Sequence, residues 1–387
     1  MKKITTLYDF LHVDAGLESV MQFQTRSLSK TYSVDVSVAS IKNNMKHYFG
    51  KNIDLNEHSP EFINNSLLKI IFSFLNKSSL KNLKDRDLFI SQSFICSRLA
   101  DYMKQKFKIP HVVFFHHPPN FLYTSGWKWA RGDIKRIIAY FAGILIGPIL
   151  KKMDKKYMLN ADLIFSNSRY TAKRFKEIYG IDSKILYPPI GDFFRIATDK
   201  DKRKIKEKYK LNNKFIFSYG RLIPDKGYDY LINCFKYLPK KIDIVLAGKI
   251  KEKYKQELIL IAKKYNSEKK LRFLGFVSEE ELVQLNSAAS CFAFPALKED
   301  FGLVPVEAMA CGCPAVGWKD GAGPEETIIP NVGGFLAKPY NSEDFANKIK
   351  LCLNKRWDKK KITKSVNKFR EKEIAKKFIP RIRELLQ

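Results

Sequence analysis

The chain has 387 residues, 45% of them hydrophobic and 13% aromatic, which excludes a disordered chain and provides for a packed core. The balance of 70 Lys and Arg against 40 Asp and Glu gives a formal charge of +30, which by itself admits a nucleic acid, an anionic membrane or a solvated Lys-rich surface. The six cysteines are too few for a disulfide scaffold, and Cys311-x-Cys313 has no later His to complete a metal site.

In chain order, short apolar runs alternate with longer amphipathic stretches, the rhythm of α/β units around parallel sheets. Strands are predicted at Ile4–Tyr8, Ser33–Val38, Leu88–Ser91, His111–Phe115, Leu163–Ser166 and Lys184–Tyr187. Helices are predicted at Leu17–Ser29, Ser93–Phe107 and Thr171–Tyr179. The segment Ile137–Leu150 is nearly all apolar, is too short to span a bilayer and is interrupted by Pro148. It reads either as a buried helix or, with Lys151, Lys152, Lys155 and Lys156 behind it, as a segment lying on an anionic membrane. Met1–Asp9 has no long apolar stretch and no small-residue cleavage site, so a secretory signal is not expected there.

Pro188-Pro189 stops regular structure, and a charged helix from Asp199 to Lys210 follows. A domain boundary is expected near residue 195. Strands then recur at Phe215–Tyr219, Ile242–Ala247, Leu271–Leu274, Cys291–Phe294, Pro314–Gly317 and Gly334–Leu336, interleaved with helices at Tyr228–Tyr237, Lys251–Tyr265, Glu279–Ser287, Val304–Ala310 and Ser342–Leu353. The expectation is two α/β domains, 1–195 and 196–365, with a basic terminal helix over 366–387. A ligand cleft between them at the carboxyl ends of the strands is the default site.

Two motifs carry chemistry. Arg221 and Lys226 sit on the turn between a strand and a helix, where two cations suit a diphosphate or are simply surface charges. In Glu299-Asp300-Phe301-Gly302-Leu303-Val304-Pro305-Val306-Glu307, the two glutamates are eight steps apart, about 80° on a helical wheel. They therefore form separate stations, Glu299 in a loop and Glu307 inside a helix. The amides of Phe301, Gly302 and Leu303 would point at an anion, and Glu307 could accept from a ribose diol. Asp85-Arg86-Asp87 matches a D-x-D metal signature but stands at a strand start, where acidic residues are common.

Together with Leu246-Ala247-Gly248, Phe273-Leu274-Gly275-Phe276-Val277-Ser278 and Cys311-Gly312-Cys313-Pro314, these motifs resemble the nucleotide-sugar half of glycosyltransferase family 4, retaining enzymes of the GT-B fold. In the first half, Ala161–Ala172, Phe114-Phe115-His116-His117-Pro118-Pro119 and Ala15-Gly16-Leu17-Glu18 are similar to that family's motifs, with Ala15 in place of its first Gly. The resemblance implies two Rossmann-like domains facing a central cleft, the C-terminal helix crossing back to the first, and the first binding the acceptor. It also implies that Arg221 and Lys226 clamp the diphosphate without metal or cofactor, that Gly16 approaches the phosphate, and that the base is read at Phe276-Val277. Glu307 would hold the ribose and Glu299 the sugar. His116 would lie near the anomeric carbon, with His117, Trp127 and Asn167 toward the acceptor. Trp127 and Trp129 read equally as caps on the apolar segment. The implied activity is transfer of a hexose to a glycan or a polyprenyl- or lipid-linked acceptor at the cytoplasmic face of a membrane. The spelling around His116, Pro188 and Glu307 leans toward GDP-mannose as the implied donor, with a UDP-sugar implied nearly as strongly. A nucleic-acid-binding protein would instead show interleaved basic and aromatic residues in a recognised module, and none is found. Oligomeric state is not legible.

Overall fold

The computed structural model describes residues 1–11, 16–41, 49, 53–57, 83–92, 94–123 and 134–387. Contacts divide it into two compact units. The first comprises Met1–Tyr187 and Ala375–Gln387, and the second Pro188–Ile374. The outward crossing thus falls at Tyr187/Pro188, on the two-proline stop, and the return falls within the last helix.

The first unit holds strands β1 (Lys3–Leu11), β2 (Ser33–Ile41), β3 (Asp54–Glu57), β4 (Leu88–Ser91), β5 (His111–Phe115), β6 (Leu163–Ser166) and β7 (Lys184–Ile185). Its helices are α1 (Gly16–Leu28), α2 (Phe94–Phe107), α3 (Asn120–Tyr123), α4 (Ile134–Leu159) and α5 (Arg169–Tyr179). The second unit holds β8 (Phe215–Tyr219), β9 (Asp243–Ala247), β10 (Leu271–Gly275), β11 (Cys291–Ala293), β12 (Ala315–Trp318) and β13 (Gly334–Ala337). Around them lie α6 (Asp199–Lys208), α7 (Tyr228–Asn233), α8 (Glu252–Lys263), α9 (Glu279–Ala288), α10 (Leu303–Ala310), α11 (Pro324–Thr327), α12 (Ser342–Asn354) and α13 (Lys359–Val366). The last helix, α14 (Glu371–Leu386), runs from the second unit into the first.

Both sheets are parallel throughout, ordered β3-β2-β1-β4-β5-β6-β7 and β10-β9-β8-β11-β12-β13. The second is the doubly wound order 3-2-1-4-5-6, and the first extends the same order by one strand. Each sheet reverses direction of growth once, between β1 and β4 and between β8 and β11. At such a point the flanking connections leave on opposite faces and open a crevice beyond the strand ends. Strands β4, β5, β6, β8 and β9 are buried along their whole length, as sheets covered on both faces require.

Three expectations need amendment. Strand β3 was not foreseen. Its Asp-Leu-Asn-Glu is polar and three of its four residues are exposed, because an edge strand needs no apolar face. The helix at Tyr228–Tyr237 ends at Asn233 and closes in a 3₁₀ turn over Cys234–Lys236. Pro148 does not interrupt its segment, since α4 continues through it for 26 residues. The lost donor and ring clash cost about 3 kcal/mol, but the turns on either side keep their bonds. Among the described residues, no helix is long and apolar enough to cross a membrane.

Local signals explain the helix starts near the site. Ser278 caps α9 by accepting from the Glu281 amide, while Glu281 reaches back to the Ser278 amide, a reciprocal capping box. Ser168 and Thr171 do the same for α5. The crossing segments are stitched together within the second unit. Arg370 donates to the carbonyls of Gly191 (3.0 Å) and Phe194 (2.7 Å), and the Ile190 amide donates to Phe369 O (2.8 Å).

Candidate active site

In the second unit the sequence motifs converge on the β8/β11 switch point. Tyr219 ends β8, and Arg221 and Lys226 lie on the connection to α7. Glu299 lies in the loop after β11, and Glu307 on α10. Lys226 Nζ donates to Glu299 Oε2 at 2.5 Å, with both side chains about a quarter exposed. Arg221 is exposed on the same turn.

Gly227 makes the approach of the two loops possible. Its φ is +66°, and a Cβ there would lie 2.4 Å from the Pro295 carbonyl oxygen, so any side chain would push the cationic turn off the β11 loop. That loop is fixed in turn, because the Gly323 amide donates to Glu299 O (2.9 Å) and the Lys298 amide to Asp320 Oδ2 (2.8 Å).

Gly302 is the N-cap of α10, with φ +82° and no side-chain cap, so the first amides of the helix are left to other acceptors. Leu303 begins the helix. The Phe301 ring is buried against Phe369 (5.3 Å, 76° between planes), so the ring is committed to packing. Glu307 Oε2 accepts from the Tyr219 hydroxyl at 2.5 Å. Burial pushes the Glu307 carboxyl up to about 7, against the lowering effect of that hydrogen bond. The two glutamates therefore have different partners and form no dyad, in line with their spacing.

Next along the sheet, Gly275 ends β10, and its carbonyl accepts from the Gly248 amide at 2.6 Å. Val277 is buried, whereas the Phe276 ring is 81% exposed, so this loop offers backbone and an aromatic face to solvent.

In the first unit, His116 follows β5 and is buried. Its Nε2 lies 2.9 Å from Gln92 Oε1, and Gln92 Nε2 donates to Gln24 Oε1 at 2.6 Å. Since Gln92 Oε1 only accepts, His116 carries its proton on Nε2 and leaves Nδ1 as an acceptor. Burial pulls its pKa down to about 3, so the ring is neutral. His117 Nδ1 donates to Pro118 O (3.0 Å). Asn167 Nδ2 donates to His116 O (3.2 Å) and its Oδ1 accepts from Thr171 (2.7 Å), so this side chain braces the His116 loop. Gly16 opens α1, with open space where a Cβ would stand. Trp127 and Trp129 lie outside the described residues.

Asp85-Arg86-Asp87 is structural. Arg86 donates to Thr5 Oγ1 (2.9 Å) and pairs with Asp35 (3.3 Å), while Asp87 takes the Lys3 amide (2.7 Å) and Lys2 (3.1 Å). These contacts staple the amino ends of the strands, opposite the switch point. Among the described residues, no group of three or more His, Cys, Asp or Glu could hold a metal ion. All six cysteines are free and buried.

The motif reading did not single out Tyr219, Gln92 or Gln24. Tyr219 had a signal, since it directly precedes the Gly220-Arg221 turn. The glutamines had none, because a Gln within an apolar rhythm does not announce its partner.

Residues 199–372 match the family model for glycosyl transferases group 1. That match spans the whole β8/β11 site. The serotype-specific mannosyltransferase WbdA of Escherichia coli is 31% identical over 194 residues, 48% of this chain but only 23% of that protein. A GDP-mannose-dependent α-(1-6)-phosphatidylinositol monomannoside mannosyltransferase of Mycolicibacterium smegmatis is 29% identical over 218 residues, 52% of this chain and 57% of that one. The chain thus spans less than two thirds of either relative. In fold, it is similar along 99% of its length to the whole crystallised HepE chain of Anabaena bound to UDP-glucose, with a TM-score of 0.76 and 20% identity. The fold is that of GT-B glycosyltransferases, two Rossmann-like α/β domains with parallel sheets.

Proposed function

We propose that the chain is a retaining glycosyltransferase that transfers a hexose, with mannose from GDP-mannose as the first candidate, to a glycan or to a polyprenyl- or lipid-linked acceptor at the cytoplasmic face of a membrane. The observation that carries this reading is the cluster at the β8/β11 switch point. Two cations, a Gly-capped helix start and two separately held glutamates stand inside the segment matched by the glycosyl transferases group 1 model.

On this reading Arg221 and Lys226 neutralise the departing diphosphate and take the place of a divalent metal, with the free amides at the start of α10 adding donors. Glu307 accepts from the ribose hydroxyls. The Gly275-Phe276-Val277 loop reads the base through its backbone. Glu299, already set by Lys226, accepts from hexose hydroxyls and faces the positive charge that develops at the anomeric carbon. Gly16 lets backbone approach the phosphate. Neutral His116 accepts from a sugar hydroxyl through Nδ1. Retention follows from front-face attack in which the leaving phosphate takes the acceptor proton, so no protein nucleophile is required. His117 and Trp127 are left to the acceptor side, whereas Asn167 serves the site through His116.

The donor is tested by thermal shift with a panel of GDP- and UDP-hexoses. At about 100 times its dissociation constant, the true donor should stabilise the protein by roughly 2.7 kcal/mol. A shift with GDP-mannose supports it as the donor, a shift only with a UDP-hexose moves the donor, and no shift with any of them overturns the reading. The membrane claim rests on the basic surface and on Lys151, Lys152, Lys155 and Lys156 of α4. Flotation with anionic liposomes should fall when these four are changed to Gln, at about 1 kcal/mol per cation near the surface. Equal recovery of wild type and variant would refute the claim.

A further inference from the structure

The Tyr219–Glu307 contact joins residues 88 positions apart in sequence, at 2.5 Å. The reading of Glu307 as the ribose station does not itself account for this contact. Tyr219 is held rigidly. It is the last residue of β8, and its ring packs between Phe217 (5.5 Å) and the edge of Phe292 (5.4 Å). A phenol fixed by a central strand has one place for its hydroxyl, and here that place is Glu307 Oε2. A glutamate on an eight-residue helix has three side-chain torsions to order, and a donor clamped to the sheet removes most of that freedom.

We propose that Tyr219 is a positioning residue for nucleotide binding. Its hydroxyl occupies Oε2 of Glu307 and turns Oε1 toward the ligand as the acceptor for the ribose hydroxyls. The inference rests on the proposed role of Glu307 and adds the residue that orients it.

The surroundings support a positioning role over a merely structural one. Burial raises Glu307 and, more strongly, Tyr219, so the phenol stays protonated and can only donate to a carboxylate. The other groups facing the pair offer no competing charge clamp. Cys311, at the end of α10, is a thiol that burial holds protonated, with Arg370 acting on it from beyond. Glu279 of α9 acts on Glu307 from a distance and disfavours its charge. Asn286 of α9 is fully buried and neutral beside the Tyr219 hydroxyl. Tyr219 is therefore the group that favours the ionised, ligand-ready carboxylate. Its loss should raise the pKa of Glu307 further, so that ribose binding requires higher pH.

The test is calorimetric binding of GDP, UDP and inorganic pyrophosphate from pH 6 to 9, with wild type, Tyr219→Phe and Glu307→Gln. Pyrophosphate has no ribose, and each ligand's own phosphate titration is the same for all three proteins, so the change in the nucleotide-to-pyrophosphate affinity ratio relative to Glu307→Gln isolates the Glu307 contribution. In wild type that ratio should fall as pH drops through about 7, where Glu307 takes up its proton. In Tyr219→Phe the midpoint should move up by about one pH unit, and the ratio at pH 7 should fall about fivefold. Pyrophosphate affinity should stay unchanged, which also certifies the fold, because Phe keeps the ring in its aromatic packing. A wild-type midpoint in Tyr219→Phe would overturn the inference and leave the ribose reading standing. An unchanged ratio in Glu307→Gln would overturn the ribose reading, and the positioning role with it.

Discussion

Phe378→Ala should destabilise the first unit by about 3–5 kcal/mol, the range for removing a buried aromatic ring from a core. Helix α14 presents Ile374, Phe378 and Ile382 at four-residue spacing, each essentially without exposure. The Phe378 ring meets Phe23 (6.5 Å), Phe114 (5.6 Å, edge-on) and Phe165 (6.2 Å, edge-on), all residues of the first unit. The last residues of the chain thus complete the core formed by its first half, and the basic face of the helix is left to solvent. Such aromatic pairs add to the stability gained from area alone. For a unit of this size the melting temperature should fall by about 6–20 °C. The neighbouring Lys377→Ala, on the exposed face, should change stability by no more than about 0.5 kcal/mol. If Phe378→Ala melts with wild type, the helix is not part of that core.

The same helix shows what the sequence can carry. Its apolar spacing was present in the residues, but its partners at positions 23, 114 and 165 were not, because contact at that separation is set by the sheet order. The doubly wound architecture was legible since parallel strands covered on both faces must be continuous apolar runs, as in Phe215–Tyr219 and Leu88–Ser91. Strand β3 was not legible, because an exposed edge needs no such run. At the site, the helix predicted at Val304–Ala310 put Glu307 on it and Glu299 in the loop before it, as the structure has them. Their partners did not. Lys226 is 73 residues from Glu299, and only the close passage at Gly227 brings them together. The contacts of Asn167 with the His116 carbonyl and Thr171 were likewise not legible, since its amide meets a loop 51 residues away.

Lys226→Ala is the variant expected to cost most in activity. It acts twice. It removes a cation from the proposed diphosphate clamp, and it strips Glu299 of its 2.5 Å partner, leaving a bare carboxylate beside that proposed clamp. A lost charged hydrogen bond and a lost oxyanion donor together bracket the expected penalty at about 2–4 kcal/mol, or roughly 30- to 900-fold in rate. Part of that loss is repulsion from Glu299. Glu299→Gln should therefore cost less in the Lys226→Ala background than in wild type, the non-additivity expected of groups in contact.

On the proposed function, the β8/β11 cluster cleaves the sugar–diphosphate bond. The measurement that tests it most directly is the rate of nucleoside diphosphate release from GDP- and UDP-hexoses by wild type and Lys226→Ala, with a membrane lipid extract as acceptor source. The expected result is release from one donor by the wild type and a loss of at least about 30-fold in the variant. Equal rates for the two proteins, or no release from any donor by a folded wild type, would contradict it.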